Sequence, residues 1–165
     1  MLNIIPIKQS KSYWCGPASL KMVLAYYKLD IRERELADKT KTSPTHGATA
    51  QALIETAQDY SLKGFIKDNA EFTDIRHYVL DKQIPVIVDW FQRDDGHYSV
   101  VVDINDKYIY LVDPYVGHLI SLKIHQFYRI WFDFPGVYLE KKEDLILRRL
   151  IVIYKNQPWL LRTMF

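Results

Sequence analysis

A single cysteine, Cys15, and the residues that follow it constrain the fold of this chain more than any other stretch. Gly16 and Pro17 come directly after it, and proline suits the first turn of a helix because a residue there needs no amide hydrogen. Apolar residues then recur at the spacing of a buried helix face, at Leu20, Val23, Leu24 and Tyr27. The sequence therefore predicts that Cys15 lies at the N-terminus of a buried helix.

The predicted position of Cys15 favours a reactive thiol. Free backbone N–H groups and the positive end of the helix dipole stabilise a thiolate, which is the nucleophilic form of cysteine. The alternative is a small buried thiol, the commonest role of a lone cysteine. A polar run from Gln9 to Tyr13 precedes the helix, and this context favours the nucleophile.

Length and composition predict one globular domain that spans residues 1–165. The chain has 48% apolar and 14% aromatic residues, which is typical of an ordered core. Its 22 basic and 20 acidic residues give a net charge of +2, so no broad nucleic-acid surface is expected. One cysteine forms no intrachain disulfide, and we find neither a secretory signal nor a membrane-length apolar stretch. A cytoplasmic protein is expected.

Helical patterns come first along the chain and strand patterns later, which predicts an α+β fold with N-terminal helices packed on a C-terminal antiparallel sheet. Helices are predicted for residues 15–29, 48–60, 72–82 and 125–132, with a further short helix capped by Asp30. Strands are predicted for residues 2–7, 62–67, 85–91, 97–104, 108–113, 118–123 and 145–154. The apolar tail, residues 158–165, is expected to dock on its own domain, with a partner or membrane surface as the alternative.

The predicted hairpin from His97 to Asp113 brings two polar residues together. If residues 105–107 form a three-residue loop, Asp113 lies opposite Ser99. His97 is two residues further along the same face, because strand side chains alternate. Diagonal neighbours of this kind are within reach of a long side chain, so the His97 imidazole is expected to meet the Asp113 carboxylate. The alternative is a partly exposed histidine and an ordinary Asp-Pro turn.

Together these residues predict nucleophilic chemistry on a carbonyl group. Cys15 would attack the carbon, His97 would accept and return a proton, and Asp113 would orient the imidazole. The Cys15 N–H and the side-chain amide of Gln9 are candidates for an oxyanion hole, although Gln9 alone reads equally as a surface residue. The other histidines lack metal-ligand spacing, so no metal and no cofactor are predicted; they are His46, His77, His118 and His125.

Four parts of the sequence resemble one known family. They are similar to the bacteriocin-processing double-glycine leader peptidases. The matching parts are Gln9, the run W-C-G-P-A-S-L-K-M-V-L-A-Y-Y from Trp14, residues 96–102 and residues 112–114. These are papain-like cysteine peptidases, usually found as the N-terminal domain of peptide-exporting ABC transporters. The resemblance covers residues 4–154, which leaves residues 155–165 as a tail.

The resemblance implies a papain-like fold and a catalytic triad of Cys15, His97 and Asp113, with Gln9 in the oxyanion hole. It also implies a peptide or protein substrate. Neither a transmembrane segment nor a P-loop is recognisable, so a separate exporter or membrane partner would be needed for export. Extended peptide would bind beside Cys15, so Trp14 and the residues around Tyr98 are expected to be partly exposed.

Two alternatives to peptide hydrolysis follow from the same residues. A thioester intermediate also serves deamidation and transpeptidation, which differ from hydrolysis in the bond attacked or in the acceptor. A third reading, from another functional class, is a peptide-binding module that keeps the fold without turnover.

Overall fold

The structure is a computed structural model, and it describes residues 1–156. Its helices are α1 (Cys15–Tyr26), α2 (Glu33–Lys39), α3 (Ala50–Asp59), α4 (Phe72–Arg76) and α5 (Ile124–Ile130). Its strands are β1 (Leu62–Lys67), β2 (Val86–Gln92), β3 (Asp95–Ile104), β4 (Tyr108–Asp113), β5 (His118–Lys123), β6 (Phe132–Asp133), β7 (Ile146–Leu147) and β8 (Arg149–Lys155). A π-helical turn (His77–Asp81) follows α4, and a 3-10 turn (Lys142–Asp144) precedes β7.

Six strands form one antiparallel sheet in the order β1-β8-β2-β3-β4-β5, and β6 pairs with β7 apart from it. Helix α1 covers one face, where Tyr98 lies against Gly16. Helix α5 covers the opposite face, where the rings of Phe127 and Trp90 are 6.0 Å apart. The arrangement confirms the predicted α+β fold, with N-terminal helices packed on an antiparallel sheet.

Burial on both faces explains the sequence of the central strands. In β2, the first five residues are all buried, so apolar residues occupy both faces of the strand, with Asp89 as the exception. In β5, at the edge of the sheet, half-buried and exposed positions alternate from Leu119 to Lys123, as expected for a strand covered on one face. The strands predicted for residues 62–67, 85–91, 108–113 and 118–123 are confirmed within a residue of their ends.

Several predicted elements differ in extent or are absent, and the helix predicted for residues 15–29 ends at Tyr26. Helix α2 begins at Glu33 with Arg32 as its N-cap, whereas exposed Asp30 pairs with Lys21 at 3.5 Å. The predicted helix 72–82 is α-helical only to Arg76 and continues as the π-helical turn. Residues 2–7 form no strand, because a single backbone hydrogen bond, from the Leu2 N–H to the Val102 carbonyl, joins them to the sheet.

The predicted strand 145–154 is divided at Arg148. This residue has a φ of +48°, and its N–H donates to the Trp131 carbonyl at 3.0 Å instead of entering the ladder. The chain therefore pairs with β6 before the break and enters the large sheet as β8 after it. The tail, residues 158–165, lies outside the described residues.

The pairing of β3 with β4 agrees with the prediction near Asp113 but differs from it near the loop. A three-residue loop would pair Ile104 with Tyr108, but Ile104 pairs with Ile109. The register then shifts back at a β-bulge, after which the pairs are Val101–Leu111 and Val100–Val112. Because the two one-residue departures cancel, the ladder continues toward Ser99 and Asp113, as the sequence predicted.

Gly16 is held closely between α1 and its neighbours, which gives a test of the packing beneath Cys15. A Cβ at this position would lie 2.8 Å from the Ala48 Cβ and 3.4 Å from the Tyr98 ring. Alanine is ordinarily the better helix former, yet we expect Gly16→Ala to lower the free energy of unfolding by about 1–3 kcal/mol, as overpacking does. Urea denaturation measures the change.

The matched control for this prediction is Ala48→Gly in the Gly16→Ala background. Removing the Ala48 methyl removes the 2.8 Å contact, so the double variant should be more stable than additivity of the two single variants allows. A Gly16→Ala protein as stable as the wild type would contradict the close packing.

Candidate active site

The structure brings His97 and Asp113 into direct contact across β3 and β4. The Nε2 atom of His97 lies 2.6 Å from Oδ1 of Asp113. Both side chains are buried, with 6% of His97 and none of Asp113 exposed. A buried pair of this kind fixes the orientation of the imidazole and leaves its other nitrogen free for another partner.

Three N–H donors hold the carboxyl group of Asp113 in addition to the packing around it. Oδ1 accepts from the imidazole of His97 and from the backbone N–H of Tyr115 at 2.9 Å, and Oδ2 accepts from the amide of Gln92 at 2.8 Å. Burial raises the pKa of Asp113, but the bonds and charge of His97, together with Tyr115 and Gln92, outweigh it and lower the pKa below its ordinary value. Asp113 is therefore a carboxylate at neutral pH.

Cys15 is the first residue of α1 and is partly exposed. It interacts with the His97 side chain, and Nδ1 is the ring nitrogen left for it because Nε2 is bound to Asp113. Burial lowers the pKa of His97, but hydrogen bonds and charges from Asp113 and Cys15 outweigh it and raise the pKa to about 9. The ring is therefore an imidazolium at neutral pH.

Aromatic side chains enclose the imidazole. Trp90 pairs with His97 across β2 and β3, and their rings meet edge to face at 5.7 Å. Tyr115 makes a second edge contact at 6.4 Å. The indole N–H of Trp90 donates to the Ser99 hydroxyl at 3.0 Å. This hydrogen bond fixes the orientation of the indole ring that contacts His97.

Gln9 is buried and links the two halves of the site. Its side-chain amide donates to the carbonyls of Lys11 and Ser12, each at 2.8 Å, in the loop before Cys15. Its backbone N–H donates at 2.8 Å to Pro114, directly after Asp113. The reading of Gln9 as a surface residue is therefore wrong. Its part in an oxyanion hole stays a prediction, which requires one amide N–H to leave its backbone partner.

A further contact anchors this loop to α2. The Ser10 N–H donates to Oε1 of Glu33 at 3.0 Å, and its hydroxyl donates to Oε2 at 2.5 Å. No sequence pattern predicts this pair, because the two residues are 23 positions apart. Together with Gln9, it fixes the path of the chain into α1.

The expected exposure of Trp14 and Tyr98 is wrong. Only 9% of Trp14 and 8% of Tyr98 is accessible. Tyr98 lies under α1 against Gly16, and the Trp14 ring packs edge to face with Tyr13 and beneath the Lys11 ammonium. These aromatic side chains therefore pack against the start of α1 and are not accessible to a bound peptide.

A pair of acidic residues near Cys15 was not predicted. Asp89 of β2 is buried and hydrogen-bonded to Asp133 of β6. Burial, followed by the charge of Asp133, raises the pKa of Asp89 well above its ordinary value. Burial also raises the pKa of Asp133, so the protein disfavours two adjacent negative charges at this position.

Two kinds of feature are absent from residues 1–156. Within this range, no group of three or more His, Cys, Asp or Glu side chains is arranged to hold a metal ion. None of the helices in the same range is long and apolar enough to cross a membrane.

The sequence matches the peptidase C39 family over residues 3–142. Two relatives are uncharacterised proteins of methanogens. One, from Methanothermobacter marburgensis, is 32% identical and aligns with 84% of this chain and 89% of its own length. The other, from Methanothermobacter thermautotrophicus, is 33% identical and aligns with 76% of this chain and 81% of its own length.

Solved structures share the fold. The peptidase domain of Streptococcus ComA, a bifunctional ABC transporter, superposes with a TM-score of 0.72 at 19% identity, covering 93% of this chain and all of that one. A double-glycine-motif protease from an AMS/PCAT transporter, solved with its leader peptide, gives 0.68 at 22% identity and covers 94% of each chain. A C39-like peptidase of Bacillus anthracis gives 0.68 at 14% identity, covering 94% of this chain and 96% of that one.

The fold is that of these peptidase domains, and in this chain Cys15 begins a helix that packs on an antiparallel sheet. Within that class, the chain belongs to the peptidase C39 family.

The raised pKa of His97 can be measured directly. We expect its ring to titrate near pH 9, and Asp113→Asn to lower that value, because the substitution removes the carboxylate charge that stabilises the imidazolium. NMR titration of the ring protons measures both values, with a His97→Ala spectrum to assign the resonance. A His97 that titrates near the ordinary 6.5 in the wild type would contradict the buried ion pair.

Proposed function

We propose that this chain is a cysteine peptidase whose catalytic triad is Cys15, His97 and Asp113. The observation that carries the proposal is the buried 2.6 Å contact between His97 and Asp113, with the Cys15 thiol at a helix start interacting with the same imidazole. Membership of the peptidase C39 family supports it.

In the proposed reaction, the Cys15 thiolate attacks the carbon of a peptide carbonyl and forms a C–S bond. The His97 imidazolium donates its proton to the leaving nitrogen as the C–N bond breaks, which leaves a thioester. Water then attacks the thioester while neutral His97 accepts its proton, and the C–S bond breaks to return the thiolate and imidazolium. Asp113 keeps the ring oriented and stabilises its charged form throughout.

Negative charge on the carbonyl oxygen needs donors during both attacks. The backbone N–H of Cys15 lies in the first turn of α1, where N–H groups have no carbonyl one turn earlier. Gln9 would supply the second donor by exchanging one of its bonds to the Lys11 or Ser12 carbonyl for the oxyanion.

A leader peptide is the proposed substrate. One structural neighbour is a double-glycine-motif protease in complex with a leader peptide, and others are peptidase domains of ABC transporters. The proposal therefore includes a precursor peptide and a separate exporter. A thiol nucleophile must stay reduced, which is the condition of the cytoplasm, so a cytoplasmic location belongs to the same proposal.

Alkylation of Cys15 tests the nucleophile before any substrate is known. The chain has no other cysteine, so all labelling by iodoacetamide reports one site. We expect rapid alkylation at pH 6, because the imidazolium of His97 stabilises the thiolate. His97→Ala should slow it by about tenfold or more, and Asp113→Asn should slow it less, since the ring remains without its acceptor. Mass spectrometry of the intact protein measures the rates.

Gln9→Ala separates the oxyanion hole from the ion pair. It should lower peptidase turnover by about 10²–10³ and alkylation far less, because iodoacetamide forms no oxyanion on the enzyme. Alkylation that is slow at pH 6 and indifferent to His97→Ala would mean that Cys15 is an ordinary thiol.

Incubation with double-glycine leader peptides tests the substrate. We expect cleavage at the double-glycine motif by the wild type, and saturable binding without cleavage by Cys15→Ala. The product mass distinguishes hydrolysis from deamidation, which adds one mass unit without cleavage, and from transpeptidation, which joins a second peptide. Binding without turnover by the wild type would favour a peptide-binding module instead.

A further inference from the structure

The turn between β2 and β3 places a glutamine beside the Asp113 carboxylate. Strand β2 ends at Gln92, which pairs with Asp95 at the start of β3. Only Arg93 and Asp94 separate them, and Arg93 adopts the left-handed conformation with a φ of +60°. A two-residue hairpin of this kind fixes the last ladder pair relative to both strands, so the backbone of Gln92 is held in place.

The side-chain amide of Gln92 donates to Oδ2 of Asp113 at 2.8 Å. The other oxygen, Oδ1, faces His97 and the Tyr115 N–H. Among residues 1–156, Gln92 supplies the only hydrogen bond recorded on Oδ2. A carboxyl group rotates over a broad range about its last torsion, so a donor on each oxygen fixes the plane of the carboxylate.

The same turn also contacts Tyr115 through Arg93. The guanidinium of Arg93 lies 4.9 Å from the centre of the Tyr115 ring and donates to its hydroxyl at 3.2 Å. Because the Tyr115 N–H binds Oδ1 of Asp113, the turn contacts the carboxylate directly through one residue and indirectly through the next. Gln92 therefore binds the Asp113 carboxylate directly, and Arg93 holds Tyr115, which also binds it.

We propose that Gln92 is a positioning residue of the active site: its amide bond to Oδ2 turns the Asp113 carboxylate so that Oδ1 points at His97. This inference depends on the proposed triad. Gln92 is not expected to touch substrate, and its effect on the reaction passes through Asp113 and His97.

A neutral donor suits this position better than a charged one. The charged or titratable side chain in hydrogen-bond contact with Asp113 is His97, and the nearby Arg93 is directed to Tyr115. An amide satisfies Oδ2 without neutralising the negative charge that stabilises the imidazolium, whereas a second cation on Oδ2 would compete with His97 for that charge. In agreement, the Gln92 bond is among the contacts that lower the pKa of Asp113.

The test compares Gln92→Met with the wild type. Methionine keeps the length of the side chain and removes the donor. We expect the NMR titration of His97 to move to lower pH by about one unit, and alkylation of Cys15 at pH 6 to slow about tenfold. With a cleavable peptide, kcat should fall while KM changes little, because the peptide makes no contact with the changed group. A purely structural role would leave the His97 titration where it is.

Two further variants keep the result interpretable. Gln51→Met is the matched control, because Gln51 is exposed on α3 and binds only Glu55; it should behave as the wild type. Gln92→Asn keeps an amide but is one methylene shorter, so it should fail to reach Oδ2 and change the His97 titration in the same direction, even if the methionine variant folds poorly.

The outcomes separate this inference from the proposed triad. If His97→Ala leaves alkylation unchanged, the triad is wrong, while the titration of His97 still reports whether Gln92 acts on the pair. If His97→Ala slows alkylation but folded Gln92→Met and Gln92→Asn keep the wild-type His97 titration, the positioning role is overturned and the triad stands.

Discussion

The contact between the His97 imidazole and the Asp113 carboxylate is the constraint on which the site depends. It joins neighbouring strands, so it exists only when β3 and β4 are in one register. A slip by one residue would send one of the two side chains to the other face of the sheet. The same contact raises the pKa of His97, which makes the protonation state of the site a consequence of strand alignment.

Around this contact, hydrogen bonds between neighbouring segments hold the site together. Gln9 joins the loop before Cys15 to the residue after Asp113, and Ser10 joins that loop to α2. The cysteine thus reaches the imidazole along a path fixed at several points. Catalytic geometry that must hold within fractions of an ångström calls for support of this kind, because an unsupported loop would spread its side chains over many positions.

Sequence periodicity predicted most of the helices, most of the strands and the face shared by His97 and Asp113. It could not predict the bulge in β3, because a bulge inserts a residue without changing the apolar pattern of a strand buried on both faces. Gln92 and the Asp89–Asp133 pair were missed for another reason. Their partners lie 21 and 44 positions away, and only the folded sheet brings them together.

The order of the sheet has a consequence for how the protein is made. Strand β8 comes last along the described chain but lies between β1 and β2. Until residues 149–155 have been made, the edges of β1 and β2 that β8 later joins have no strand between them. Asp89, at the far end of the β2 ladder, also pairs with Arg149 of this strand. A nascent chain therefore contains every residue of the proposed triad before it contains the strand that joins β1 to β2, and the large sheet is completed only after residues 149–155 have been made.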